Sequence, residues 1–352
     1  MRTLFYPFNY ENREVLIYRD YLKKEYKDCI YVIENENSKN NFAELSKKYK
    51  VSAECSTDIS TIIKDVEQVI ILPIENMGIS HYKNIIKILE SKKTIKNFNK
   101  KLDGLLTDEI DKGNVCVENI YKKSNLPKEI TSIEVPVIMI AGLNKYCDKF
   151  SVQILLGNYF KDKGYKVEQF STRAIAELFG INNLPRFDEY SNCKMEEQAL
   201  FFNEYMADEI KKKAPDLIII DIDEGIVPIS NGILNNFGYL ARLISCAIPI
   251  DYTILNIYYQ ESISSDYIKM LREYTNGNLS SDLFAICVSN TMSELKPETQ
   301  NREMSFFHLD TVDKTPIVQK KDIRIFTTSN KISCEKIFDN LFKAFTENIS
   351  VI

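Results

Sequence analysis

The chain of 352 residues contains no tryptophan and only two histidines, His81 and His308. A catalytic or metal site that needs several histidines is therefore excluded. We predict His308 half-buried in a strand and His81 exposed at the start of a helix. The eight cysteines are scattered without a CxxC pair, so neither zinc nor an iron–sulfur cluster is indicated. This use of cysteine fits a reducing cytoplasm better than a disulfide framework.

Long apolar segments and an excess of positive charge are also missing. No apolar stretch approaches the ~18 residues that a membrane-spanning helix needs, and the first residues lack the features of a signal peptide. The 45 lysines and arginines are outnumbered by 50 aspartates and glutamates, which gives a net charge of −5. A basic surface for nucleic acid is not indicated. We expect a cytoplasmic protein with neither a nucleic-acid nor a membrane partner.

The pattern of apolar residues indicates an α/β protein. Short apolar runs alternate with amphipathic segments, as in a parallel sheet with helices on both faces. The polar segment 121–134, which contains Pro127, is the best candidate for a linker. We predict two three-layer domains with parallel sheets, a Rossmann- or flavodoxin-like domain at 1–125 and a P-loop-like domain at 126–352. Apolar positions near helical spacing predict one helix over residues 13–26.

One arrangement in the second half of the chain resembles the phosphate site of P-loop nucleotide-binding domains. A strand is predicted at 135–143, followed by a loop and a helix at 150–164, and a strand at 215–223 carries acidic residues at its end. Such a loop directs backbone N–H groups and the positive end of a helix at an anion, and a lysine adds charge. An aspartate at a neighbouring strand tip can hold Mg²⁺ through water. The predicted residues are Gly142, Asn144, Lys145, Lys149, Ser151 and Arg173 for the anion, and Asp221 and Asp223 for Mg²⁺.

The loop departs from the P-loop pattern G-x-x-x-x-G-K-[ST] at three positions. Gly142 lies seven positions before Lys149 instead of six, Asp148 replaces the second glycine, and Phe150 replaces the hydroxyl residue that holds Mg²⁺. Without glycine at 148 we expect the loop not to curl easily around a phosphate, which the carboxylate of Asp148 would also repel. Ser151 carries its hydroxyl one position too late. These departures argue more strongly against hydrolysis of ATP than against binding of an anion.

Structural roles are equally open for these residues. Asp148 can cap the helix that follows it, and Lys149 can be a solvated residue of the first turn. Asp221 and Asp223 can form a solvated strand end, although ligands of open α/β sheets bind at the carboxyl ends of strands.

Several segments resemble those of one protein family. The motifs are YPF and LIYRDYL near the start, K-F-x-x-Q from Lys149, G-Y-K-V from Gly164 and G-I-x-P from Gly225. They are similar to the clostridial peptide-maturation-system proteins, which are encoded beside a radical SAM maturase and a small bacteriocin-like precursor peptide. The resemblance covers nearly the whole chain and implies a pathway more than a reaction. In that family the position of Asp221 need not be acidic, which argues against a Mg²⁺ role there.

Three functions remain open. The first is an accessory protein in maturation of a ribosomally made peptide natural product, with a degenerate nucleotide- or anion-binding loop and with the precursor peptide and maturase as partners. The second is an active ATP- or GTP-dependent enzyme, an NTPase or ligase, that uses Lys149 and Asp221. The third is a two-domain α/β enzyme of glycosyltransferase type. The nucleotide hypotheses predict ATP or GTP with Mg²⁺ as ligands, and the sequence leaves open whether the protein is an enzyme.

Overall fold

The structure, a computed structural model, describes residues 1–74, 77–102, 111–112, 127–185, 193–295, 304–309, 317–318 and 323–348. Its strands are β1 (Thr3–Tyr6), β2 (Cys29–Val32), β3 (Glu54–Ser56), β4 (Gln68–Ile71), β5 (Thr94–Asn97), β6 (Asp111–Lys112), β7 (Val137–Gly142), β8 (Val167–Ser171), β9 (Asn182–Asn183), β10 (Leu217–Asp221), β11 (Tyr252–Ile257), β12 (Ser262–Ile263), β13 (Asp282–Val288), β14 (Thr291–Leu295), β15 (Met304–His308), β16 (Ile317–Val318) and β17 (Arg324–Phe326). Its α-helices are α1 (Glu14–Ile17), α2 (Glu36–Tyr49), α3 (Ile59–Ile62), α4 (Ile79–Glu90), α5 (Lys149–Asp162), α6 (Met195–Lys213), α7 (Tyr239–Ala247), α8 (Ser265–Leu279) and α9 (Lys331–Asn348).

These elements group into two compact units, Met1–Cys116 with Arg173–Asn183, and Val117–Thr172 with Leu184–Ile352. The predicted boundary between residues 125 and 126 lies outside the described residues and stays a prediction. The pattern of apolar residues does not predict that residues 173–183 join the N-terminal unit. There the N–H of Lys23 donates to the carbonyl of Leu178 at 2.9 Å.

Within the described residues, the sheet of the N-terminal unit has six parallel strands in the order β3-β2-β1-β4-β5-β6. This is the strand order of the doubly wound Rossmann fold, and it matches the first of the two predicted alternatives. Ile59 of α3 and Ile85 of α4 pack into the buried cluster on one face. On the other face Phe42 of α2 packs edge-on against Phe8, with 5.2 Å between ring centroids. Both faces of the sheet are therefore covered by helices.

The predicted helix at 13–26 is wrong. The chain is α-helical only over Glu14–Ile17 and then passes into short 3-10 turns. The chain leaves the helical conformation at Tyr18, where φ is −108° and ψ is 31°. Leu22 and Tyr26 are nevertheless buried. Their spacing therefore reflects burial and does not indicate a continuous helix.

The C-terminal unit contains a parallel sheet in which six strands follow the order β17-β13-β11-β7-β10-β8. Ile138 and Ile140 of β7 pack in one buried cluster with α5 and α9, whereas Met139 and Ala141 pack in another with α6, α7 and α8. The predicted three-layer parallel architecture is confirmed. β10 pairs with β7 and places Asp221 opposite Ile140, beside the strand that leads into the predicted loop.

The predicted exposure is correct for His308 and wrong for His81. His308 is half-buried in β15, as predicted. The expectation that His81 is exposed is wrong, because only 14% of its side chain is accessible. Its Nδ1 accepts the N–H of Gly78 at 3.0 Å and so caps α4, while its Nε2 lies 2.6 Å from the carboxylate of Glu34.

No helix in the described ranges is long and apolar enough to cross a membrane.

A matched pair of glycines tests the turn between α5 and β8. Gly164 has φ +90°, whereas Gly277 lies inside α8, and at both positions an added Cβ would meet no atom within 4 Å. Gly164→Ala should lower the free energy of unfolding by about 1–2 kcal/mol, because an L-residue is strained there. Gly277→Ala should raise it by about 0.5–1 kcal/mol, because alanine favours a helix. Urea unfolding measures both, and changes of the same sign would contradict the described backbone.

Candidate functional site

Residues 142–149, hereafter the candidate loop, join β7 to α5 at the carboxyl edge of the C-terminal sheet. Tyr146 and Asp148 both have φ +60°, the left-handed conformation that glycine adopts most easily. Aspartate tolerates it better than most L-residues, at a cost of about 1–2 kcal/mol. Asp148 itself adopts the left-handed conformation, so this backbone turn does not require glycine at 148. The expectation that the loop does not curl easily around a phosphate stays a prediction.

The carboxylate of Asp148 does not cap α5. No hydrogen bond joins it to the N–H groups of the first turn. Its Oδ2 instead accepts the N–H of Asn290 at 3.2 Å and the hydroxyl of Thr328 at 3.5 Å. The capping interpretation is therefore wrong, and the negative charge is directed toward the segments that follow β13 and β17.

Four consecutive carbonyl groups of the candidate loop accept hydrogen bonds. The pairs are Gly142 O with Ile226 N at 3.0 Å, Leu143 O with Asn235 Nδ2 at 2.8 Å, Asn144 O with Lys149 Nζ at 2.6 Å, and Lys145 O with Tyr258 Oη at 2.8 Å. In a trans peptide the N–H of the next residue lies on the opposite edge of the same plane. These bonds therefore also orient the N–H groups of residues 143–146.

Lys149 is the most informative residue of the site. Only 3% of it is exposed, so the interpretation as a solvated first-turn residue is wrong. Its stem packs against Gly142, where a Cβ would lie 2.8 Å from Lys149 Cδ. Its ammonium donates to the carbonyl of Asn144 at 2.6 Å, and among the described residues it forms no ion pair with a carboxylate. A buried cation without a counter-charge is costly, which favours an anion at this place.

A second glycine lies where the segment after β10 meets the candidate loop. A Cβ on Gly225 would lie 2.1 Å from the carbonyl oxygen of Leu143 and 2.2 Å from Asn235 Nδ2. Backbone at this distance leaves no room for any side chain. The G-I-x-P motif therefore has a physical reason here, since its glycine allows the two segments to pack together.

The predicted Mg²⁺ residues lie at the carboxyl end of β10, where Asp221 is the last residue of the strand and Asp223 follows it. Asp221 is fully buried, and its Oδ2 accepts the hydroxyl of Ser171 at 2.9 Å, so the solvated-strand-end interpretation is wrong for this residue. Asp223 is half-buried, and its N–H donates to the hydroxyl of Thr172 at 2.8 Å. In the part of the chain that the structure describes, no group of three or more histidine, cysteine or acidic residues could hold a metal ion. The Mg²⁺ role stays a prediction.

The other residues predicted for the anion site differ in their exposure. Lys145 is exposed and Asn144 is half-buried. Ser151 is buried in the first turn of α5, as is Phe150. The hydroxyl at 151 is thus within the helix start and not at the position that the P-loop pattern requires.

Arg173 belongs to the N-terminal unit. Its guanidinium donates to the carbonyl of Glu11 at 2.8 Å and lies 3.5 Å from Oε1 of the buried Glu14. Arg13 also contacts that carboxylate, at 3.7 Å. These contacts describe an ion cluster inside the N-terminal unit, and the predicted anion contact of Arg173 stays a prediction.

Sequence reasoning missed Asn256, which lies opposite Gly142 in the neighbouring strand β11. Its Nδ2 donates to the carbonyl of Ala141 at 2.9 Å, and its own carbonyl accepts the N–H of Leu143 at 3.1 Å. The side chain is fully buried, and its Oδ1 has no hydrogen-bond partner within the described ranges. The available signal was a polar residue near the end of an apolar strand, which is unusual in a fully buried position.

Side chains of β15, which pairs antiparallel with β14, pack against the candidate loop. The ring of Tyr146 contacts Phe306 at 4.8 Å and His308 at 6.1 Å between centroids. The Nδ1 of His308 lies 3.0 Å from the hydroxyl of Thr291 on the paired strand. β15 therefore contacts Tyr146, whose backbone is left-handed like that of Asp148.

Among the residues that the structure describes, the N-terminal sheet has no comparable loop at the point where its strand order reverses, between β1 and β4. In doubly wound sheets this crevice is the usual ligand position. Here the Asn12 side-chain amide donates to the carbonyl of Pro73 at 2.6 Å and so links the segments after the two strands. The residues after β1 are Pro7 and Phe8 in place of a glycine-rich turn. The side-chain amide of Asn12 thus bridges the two segments at this edge.

No family model and no curated protein matches the chain. Among solved structures, it is similar to a DUF1611 family protein from Anabaena variabilis, with a TM-score of 0.53, 11% identity, and coverage of 82% of this chain and 87% of that one. Weaker likenesses link it to a plasmid partition protein from Borrelia burgdorferi (TM-score 0.35, 14% identity, 60% of this chain and 99% of that one) and to cobyrinic acid a,c-diamide synthase from Mycobacterium smegmatis (TM-score 0.35, 12% identity, 61% and 97%). The first likeness concerns the fold alone, and the two lower scores add nothing to it.

The cysteine of the candidate loop tests how closed the loop is. Burial raises the pKa of the Cys147 thiol, and the nearby charge of Lys149 only partly offsets this. The thiol therefore stays protonated and unreactive near neutral pH. Alkylation of the folded protein, followed by peptide mass spectrometry, should label the exposed Cys246 well before Cys147. Equal labelling rates at the two positions would contradict the described loop.

Proposed function

We propose that the C-terminal unit binds a phosphate-bearing anion, a nucleoside triphosphate such as ATP or GTP, in the candidate loop. The observation that carries the proposal is the buried ammonium of Lys149, which has a carbonyl partner but no carboxylate partner among the described residues. Burying such a charge costs several kcal/mol unless an opposite charge accompanies it. A phosphate bound in the loop would supply that charge.

The start of α5 supports the same proposal. The first N–H groups of a helix have no acceptor within the helix, and they form its positive end. Because the carboxylate of Asp148 bonds to Asn290 instead of capping this end, these groups are not covered by the adjacent acid. A phosphate at a helix N-terminus is a common arrangement in nucleotide-binding proteins.

Mg²⁺ would be held by Asp221 and Asp223 and would neutralise part of the phosphate charge. The fit is partial, since Phe150 stands in place of the hydroxyl residue and is itself buried. We therefore propose binding in preference to rapid hydrolysis. The alternative of an active NTPase or ligase requires the buried Asp221 to reach the metal, and the glycosyltransferase-type alternative stays a prediction.

A role in peptide maturation also stays a prediction, which rests on the sequence resemblance. In that setting the nucleotide-binding unit would act beside the precursor peptide or the radical SAM maturase. Calorimetric titration of the purified protein with the neighbouring precursor peptide, in the presence and absence of ATP, is the direct measurement.

A single substitution separates the charge of Lys149 from its packing. Lys149→Met keeps a stem that packs against Gly142 but removes the ammonium. The ligand-free variant should be at least as stable as the parent, because replacing a buried charge by an apolar group is often neutral or stabilising. Its affinity for ATP or GTP with Mg²⁺ should fall at least about tenfold, which corresponds to about 1.4 kcal/mol.

Thermal shift and calorimetry measure these two effects. For the parent protein, nucleotide at a hundredfold excess over Kd should stabilise the fold by about 2.7 kcal/mol. Lys331→Ala, at an exposed lysine of α9, is the control and should bind as the parent does. Absence of binding to the parent, or undiminished binding to Lys149→Met, would refute the proposal.

A further inference from the structure

A strained turn lies between β10 and α7. Asn235, Asn236 and Phe237 have φ angles of 48°, 48° and 53°, and Gly238 follows with φ 70°. Four consecutive residues are therefore left-handed, although L-residues normally adopt this conformation singly, at about 1–2 kcal/mol each. Phenylalanine is among the least suited to it. Such strain persists only where surrounding contacts impose it, and it is common at binding sites and switches.

The contacts that impose this conformation come partly from the candidate loop. The side-chain amide of Asn235 donates to the carbonyl of Leu143 at 2.8 Å and to that of Val227 at 2.6 Å. At the other end of the turn, a Cβ on Gly238 would lie 2.1 Å from the carbonyl oxygen of Ile226. That same Ile226 donates its N–H to the carbonyl of Gly142. Asn235 is thus bonded directly to the candidate loop, and Gly238 packs closely against Ile226, which is itself bonded to the loop.

The bond from Asn235 acts on a peptide plane that an anion would also use. The carbonyl of Leu143 and the N–H of Asn144 belong to one planar unit, and they point in opposite directions. The amide that holds this carbonyl therefore sets the direction of the next N–H. An anion that accepts this N–H would polarise the plane and strengthen the bond to Asn235, because hydrogen bonds in a chain reinforce one another.

The turn also presents apolar side chains to solvent. Phe237 is 68% exposed and Leu234 is 42% exposed. A phenylalanine that is both left-handed and exposed is not explained by packing. Phe237 lies two residues after Asn235, whose side-chain amide is bonded to Leu143 and Val227.

We infer that Asn235 is a positioning residue that couples anion binding in the candidate loop to the turn that carries Leu234 and Phe237. The inference rests on the proposed function. A bound phosphate holds the Leu143–Asn144 peptide plane, and through Asn235 it holds the strained turn in one arrangement. Without the phosphate the turn relaxes more readily. Because coupling between two sites is reciprocal, loss of the Asn235 side chain weakens phosphate binding.

The absence of tryptophan from the chain allows a direct test. Phe237→Trp places the sole tryptophan on the turn, and Ile332→Trp places it on α9, where the native residue is 79% exposed. Titration with ATP and Mg²⁺, and separately with GTP and Mg²⁺, should change the emission of the first variant. The change should be half-maximal at the Kd that calorimetry gives for the same variant. The emission of Ile332→Trp should stay constant.

Asn235→Ala is the second arm of the test. In the Phe237→Trp background it should reduce nucleotide affinity by roughly two- to tenfold, the value of one hydrogen bond, and should abolish most of the emission change. If Phe237→Trp does not fold, Leu234→Trp is the probe on the same turn.

The outcomes separate the two proposals. Calorimetric binding to the parent protein, with constant emission from the turn or with unchanged affinity in Asn235→Ala, would overturn the coupling and leave the proposed function standing. Absence of calorimetric binding of either nucleotide to the parent would overturn both.

Discussion

The buried ammonium of Lys149 is the constraint on which the architecture of the C-terminal unit's carboxyl edge depends. Its stem requires a glycine at 142, and its charge requires the carbonyl of Asn144 to turn inward. The carbonyls on either side are then engaged by Asn235 and Tyr258. Asn235 and Tyr258 lie outside the candidate loop, so the surrounding fold helps to impose the shape of the loop. A loop held in this way is preorganised, and preorganisation lowers the cost of binding.

The two units show that one fold class yields different surfaces at the same topological position. Both have parallel sheets covered by helices, and ligands of such sheets bind beyond the carboxyl ends of the strands. In the N-terminal unit this edge is bridged by Asn12 and Pro73. In the C-terminal unit glycines at 142 and 225 allow backbone to approach backbone around the lysine. Function follows from these local contacts and not from the sheet order.

Much of this arrangement could be predicted from the sequence, because apolar runs report buried strands directly. The strand, loop and helix around Lys149 were recognised in this way, and so was the place of Asp221 beside β7. Burial of Lys149 was not predicted, since it depends on tertiary contacts that spacing does not reveal. The left-handed backbone of Asp148 and the role of Asn235 were missed for the same reason. The wrongly predicted helix at 13–26 is the opposite case. Apolar residues at helical spacing are buried there, but the backbone forms short turns.

Hydrogen–deuterium exchange of the amides at residues 142–151 tests the central claim most directly. The claim is that oriented N–H groups around Lys149 receive a phosphate. Peptides that cover this segment should exchange more slowly when ATP and Mg²⁺ are added, and those from β1–α1 of the N-terminal unit should not change. Unchanged exchange at 142–151 under saturating nucleotide would contradict the account, as would protection confined to the N-terminal unit.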